Sequence, residues 1–279
     1  MTLAVPLMGN RLILNILASA EAIWIPNRLR VFGLSSSDAL NVYGVLTGMA
    51  LPFILFPSAI TNSIAVLLLP TVAKAQAEGN KRSISSTISM SIRYSLYMGI
   101  LCIGIFTFYG SGLGSSVFHD ANAGDYIVTL AWLCPFLYLS TTTGSILNGL
   151  GRTATTFVQN VAALVMRLSF VLFGIPKYGI RALLWGMLAS ELFLSLLHLY
   201  SLKKCVPFSW NAWNMIVKPS AFLILSAGIT RFVFSAGPVP ALMASLPVFL
   251  TICLHAAVLS SSYGGLLLLF HRSRPSVHE

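Results

Sequence analysis

Arg11, Asn15 and Ser19 recur at four-residue spacing within the stretch GNRLILNILASAEAIWIPNRL. On an α-helix that spacing gathers them into one stripe, with Asn10 and Glu21 on a neighbouring one. One broad side of such a helix is polar, while Leu12, Ile16 and Ile23 occupy the opposite side. The chemistry open to these groups is non-covalent: hydrogen bonding and charge pairing by a guanidinium, a carboxylate and amides. Two arrangements suit the pattern, a helix bordering a hydrophilic cavity or a helix packed against polar partners. Trp24, just ahead of Pro26, is placed as an ordinary aromatic anchor at a membrane interface.

Two further charges stand inside apolar segments. Counted from the cytoplasmic ends of their segments, near residues 153 and 202, Arg167 lies about 21 Å deep and Glu191 about 17 Å. The PKYG turn between the segments makes them antiparallel neighbours, and an unpaired charge at that depth is costly. A buried ion pair between Arg167 and Glu191 is therefore expected. His198, seven residues beyond Glu191, reads as an interface histidine. Arg93, well inside its own apolar run, either snorkels to the interface or reaches a central cavity.

A third signal is backbone chemistry. A helix from Leu40 to Val72 would be roughly 50 Å long, against a hydrocarbon core of about 30 Å. Pro52 and Pro57 each remove a backbone donor there and obstruct the preceding turn, so a kink or break is expected. Such a break is tolerated in lipid only where protein or water satisfies the freed carbonyls. The polar run Thr61-Asn62-Ser63 is positioned to help.

The elements that hold these residues follow from composition. Of 279 residues, 56% are hydrophobic and 9% charged, with a mean hydropathy of +0.83. Soluble domains carry about 25% charged residues, so this chain is an integral membrane protein. Eight apolar segments are long enough to span: 4–33, 40–73, 84–109, 124–149, 154–175, 179–202, 213–235 and 240–270. None alternates strictly, so helices rather than a β-barrel are expected.

The net charge of +10 is scattered between apolar segments, as suits anionic headgroups rather than nucleic acid. With both termini cytoplasmic, the inside connections hold Lys74, Lys81, Arg82, Arg152, Lys203, Lys204, Arg272 and Arg274. The outside connections hold Arg28, Arg30, Lys177, Arg181 and Arg231, a bias in the positive-inside direction. Arg11, Asn15 and Glu21 interrupt the first apolar run, and no basic region precedes it, so it does not read as a signal peptide.

Cys102, Cys134, Cys205 and Cys253 have neither metal-ligand nor disulfide-framework spacing, and read as small hydrophobes. No HExxH, P-loop, GxSxG or Asp-rich diphosphate motif is present. No enzyme, metal or cofactor is expected.

Four stretches resemble the C-terminal half of the stage V sporulation protein B family. They are VPLMGNRLILNILASAEAIWIPNRL, YGVLTGMALPFILFPSAITNSIAVLLLPTVAKAQA, SILNGLGR and YGIRALLWGMLASELFLSLLHL. That family lies in the polysaccharide-export branch of the multidrug/oligosaccharidyl-lipid/polysaccharide flippase superfamily. The resemblance implies a half of a fourteen-span fold: residues 1–204 as the second six-helix lobe and 205–279 as two trailing helices. It implies alternating-access export of a lipid-linked oligosaccharide or cell-wall precursor across the cytoplasmic membrane. The first six-helix lobe would then be a partner. Asn10, Arg11, Asn15, Glu21, Thr61, Asn62 and Arg93 become candidates for the substrate cavity, with Arg11 against the pyrophosphate. Cation-coupled multidrug efflux, and a non-transporting fragment or scaffold, are the alternatives.

Overall fold

The computed structural model describes the backbone of residues 4–235, 240 and 245–272, and the side chains of 12–235, 240 and 245–269. All regular structure among the described residues is helical. The first helix, α1, runs Ala4–Phe32. Eight helices long and apolar enough to cross a membrane follow. They are α2 (Ser36–Leu55), α3 (Ser58–Ala77), α4 (Lys81–Phe118), α5 (Ala121–Gly149), α6 (Thr153–Tyr178) and α7 (Ile180–Cys205). The last two are α8 (Trp213–Ser235) and α9 (Val248–Arg272). The chain is an all-α, multi-pass membrane protein.

The membership of the eight differs from the sequence reading. Residues 40–73, read as one span, are divided between α2 and α3, and α1 is not among the eight. Asn10, Arg11, Asn15, Glu21 and Asn27 dilute the apolar character of α1. A turn at Phe56 and Pro57 separates α2 from α3. Both nevertheless follow α5 in the same direction. The Tyr138 hydroxyl donates to the Ile54 carbonyl at 3.3 Å, and the Ser145 hydroxyl donates to that of Ala65. Further on, a Cβ at Gly149 would meet the Leu69 carbonyl oxygen at 2.8 Å. The two helices are one bent rod lying along α5.

The bend has a local explanation. A π-helical turn, Val45–Ala50, precedes Pro52 and widens the backbone ahead of its ring. Pro57 caps α3, and side chains cover the carbonyls freed nearby. Ser58 Oγ donates to the Leu55 carbonyl at 2.5 Å, and Thr61 Oγ1 to that of Ser58 at 3.0 Å. Asn62 faces outward. Of the run Thr61-Asn62-Ser63 it is Thr61 that bonds at the bend, together with Ser58, which the sequence reading did not single out.

Between apolar helices in lipid, close packing and polar contacts take over from the hydrophobic effect. Gly99 shows this where α4 meets α5, since a Cβ there would run into Pro135. Beside that contact, the buried hydroxyls of Ser95 and Thr142 bond at 2.8 Å. One core cluster joins α2, α4, α5, α6 and α7 through residues such as Leu46, Ile127, Tyr138, Ile175 and Leu183. A second gathers Val72, Ile88, Ile92, Ile146 and Leu202 at the other end of the helices. Ile100, Phe222 and Tyr263 tie the trailing pair α8 and α9 to α4. Helix α1 joins the first cluster through Ile25 and Leu29, which with Glu21, spaced by four, form its buried stripe, whereas Leu12, Ile16 and Ser19 are exposed.

Candidate functional site

The buried stripe of α1 delivers Glu21 to α6. There Arg167 Nη2 lies 2.5 Å from Glu21 Oε2, with the Glu21 side chain 8% and the Arg167 side chain 24% exposed. The pair lines a cavity of about 230 Å³ with Tyr43 and Thr47 of α2 and Met187 of α7. This corrects the expected Arg167–Glu191 pair. Antiparallel neighbours share an interface, but helical phase decides which side chains enter it, and that of Arg167 turns toward α1. A residue 146 positions away in sequence takes it.

Glu191 has a different environment. Its Oε2 accepts a hydrogen bond from Ser140 Oγ of α5 at 2.9 Å. Two helical turns further along α7, His198 Nδ1 lies 3.1 Å from the Ser140 backbone carbonyl. A carbonyl only accepts, so Nδ1 carries the proton, and Nε2 is buried without a partner. Gly144 makes room for the ring: a Cβ there would lie 3.0 Å from His198 Cε1. Glu191 and His198 line a cavity of about 380 Å³ between α5, α6 and α7. Its walls also carry Thr141, Ser145, Asn148 and Asn160.

A third cavity, of about 500 Å³, is cationic. Arg82 and Arg93 of α4 line it together with Ser85, Ser86 and Ser89 of the same helix and Ser209. Arg93 is half-buried, and its Nε is buried with no hydrogen-bond partner. Ser85 Oγ donates to the Pro207 carbonyl at 2.8 Å, which holds the segment ahead of α8 over this groove.

The candidates from sequence are therefore dispersed. Glu21, Arg93 and Thr61 sit in three separate environments. Asn15 and Asn62 are exposed. The side chains of Asn10 and Arg11 lie outside the described residues. Ser140, Asn148, Asn160 and the α4 serines were not singled out. For Ser140 and the α4 serines a signal was present in the polar runs STTTGS (140–145) and SISSTISMS (83–91) inside apolar segments; Asn148 and Asn160 stand outside those runs. Among the described residues no group of three or more His, Cys, Asp or Glu side chains converges on a point.

Two curated proteins of Bacillus subtilis (strain 168) are similar to this chain. Stage V sporulation protein B is 23% identical over 211 residues, which is 75% of this chain and 41% of that protein. Sporulation protein YkvU is 24% identical over 212 residues, 75% of this chain and 47% of that protein. The chain thus spans less than half the length of either relative. No protein-family model matches it, and no solved structure matches it at a significant level. The chain is an all-helical membrane protein that is similar over three quarters of its length to these two sporulation proteins.

Proposed function

We propose that this chain is the C-terminal part of a flippase that carries a lipid-linked oligosaccharide or cell-wall precursor across the cell membrane. The observation that carries the reading is the Arg82–Arg93 cavity. Two guanidinium groups and several hydroxyls lie along one face of a membrane helix, and the Arg93 Nε lacks a partner. Guanidinium forks suit phosphate oxygens, and hydroxyls complete their coordination. A polyprenyl pyrophosphate fits such a groove: its charged head enters the cavity while its tail stays in lipid. The exposed α1 residues Leu12, Ile13, Asn15 and Ile16 are part of the surface a first six-helix lobe would cover. Residues 1–204 would then form the second lobe, with α8 and α9 as its trailing pair. The role is transport, not catalysis.

Equilibrium binding of polyprenyl pyrophosphate to the chain in lipid nanodiscs, with the phosphate-free polyprenol as control, tests the reading. Arg93→Ala should weaken pyrophosphate binding roughly tenfold, the scale of one charge-assisted hydrogen bond, and Arg93→Lys should recover part of it. Polyprenol binding should not change. Equal affinity for both lipids, or indifference to Arg93→Ala, would sink the proposal.

A further inference from the structure

We infer that the cavity between α5, α6 and α7 is a proton-binding site, with Glu191 as the carboxylate that takes the proton and His198 as its companion base. The inference goes beyond the transport reading and does not depend on the identity of any cargo.

The argument starts from what each group lacks. Glu191 has no ion-pair partner among the described residues, because Arg167 is engaged by Glu21. It is held instead by a single hydroxyl, Ser140 Oγ at 2.9 Å. His198, 2% exposed, donates from Nδ1 to the carbonyl of that same residue, which leaves Nε2 bare and buried. Ser140 therefore ties a carboxylate and a neutral imidazole to one point of α5. An ionisable side chain held in a spanning helix without a counter-charge is the setting of proton relays.

The cavity supplies the route. From Leu137 to Asn148 its lining follows α5 for about 16 Å, ending beside the α5–α6 turn. At that end Thr156 Oγ1 donates to Asn148 Oδ1 at 2.7 Å. Polar walls of this kind admit a chain of water to mid-helix depth. The proton passes from hydronium in the cavity to the Glu191 carboxylate, leaving water and a neutral acid; only O–H bonds change.

The other charged groups around Glu191 are few. Arg167 of α6 acts on it electrostatically, and Glu21 of α1 and Tyr43 of α2 stand behind Arg167. On α7 itself there is His198, while α5 lends hydroxyls and amides to the cavity and no acid or base. A bare imidazole nitrogen also favours a proton over a hard metal cation, which takes oxygen ligands.

Infrared difference spectroscopy of the full chain in nanodiscs, between alkaline and mildly acidic buffer, tests the site. The carbonyl stretch of a protonated buried acid should appear on acidification and shift in D2O. Glu191→Gln should remove this band, and Glu191→Asp should retain it at a different frequency, which covers the case of a misfolded Gln variant. His198→Gln should move the titration midpoint by roughly one pH unit, the scale of a neighbouring charge. A band that persists unshifted in Glu191→Asp, that vanishes in Glu21→Gln instead, or that added sodium suppresses would overturn the inference. So would the absence of any such band in the parent chain.

Discussion

Glu21 and Glu191 are both carboxylates held between membrane helices, yet one is closed and the other open. Glu21 meets a guanidinium at 2.5 Å and fastens α1 to α6. Glu191 meets one hydroxyl and borders a cavity that extends to the α5–α6 turn. The difference is what each charge has been given. A buried charge with a matched partner has spent its electrostatic reach on structure, and moving a proton to it means breaking the pair. A buried charge with only a hydroxyl and a path to water can gain or lose a proton without dismantling an interface. Burial alone does not separate a fastener from a working group; the partner inventory does.

The largest effect should come from the closed site. Removing one partner of a buried ion pair typically costs about 3–5 kcal/mol, whereas replacing both can be nearly neutral. Arg167→Leu and Glu21→Leu should each lower the unfolding midpoint in a denaturing-detergent titration, and the double variant should recover most of the loss. Arg167→Leu combined with Glu191→Leu should be close to additive. Strong coupling in that second pair would break the contrast between the two carboxylates.

A middle-sized effect sharpens the open site. The Cβ added by Gly144→Ala would stand 3.0 Å from His198 Cε1. Overpacking of this kind costs about 1–3 kcal/mol. Most of the loss should disappear when the same change is made in a His198→Ala background, since the ring that is crowded is gone. A loss unchanged by that background would mean the strain lies elsewhere on α5. The smallest effect is expected at Asn62, which faces outward at the bend: Asn62→Ala should shift stability by no more than about 0.5 kcal/mol. A larger change in the same detergent titration would restore Asn62 as a structural element of the break.

Much of this was legible in the residues. The proline spacing at 52 and 57 announced an interrupted helix, and Arg11, Asn15, Ser19 and Glu21 announced that one side of α1 is polar. That Glu21 would take Arg167 was not legible. Local sequence gives the height of Arg167 and Glu191 in their helices, but the rotation of each helix about its own axis follows from packing over the whole bundle. For the same reason the contact of the Ser140 hydroxyl with Glu191 passed unnoticed: a serine in a membrane helix usually bonds its own backbone, and only a neighbouring helix turns it into a contact.

The amino-acid sequence by itself determined that this chain lives in a membrane, that it is helical, and where its backbone must bend, because hydropathy and proline chemistry act within a few turns. The tertiary structure alone decided the pairing of Glu21 with Arg167, the cavity at Glu191 and His198, and the arginine-lined groove on α4. Each depends on the mutual phase of helices distant in sequence, and that phase is set by close packing at points such as Gly99 and Gly144.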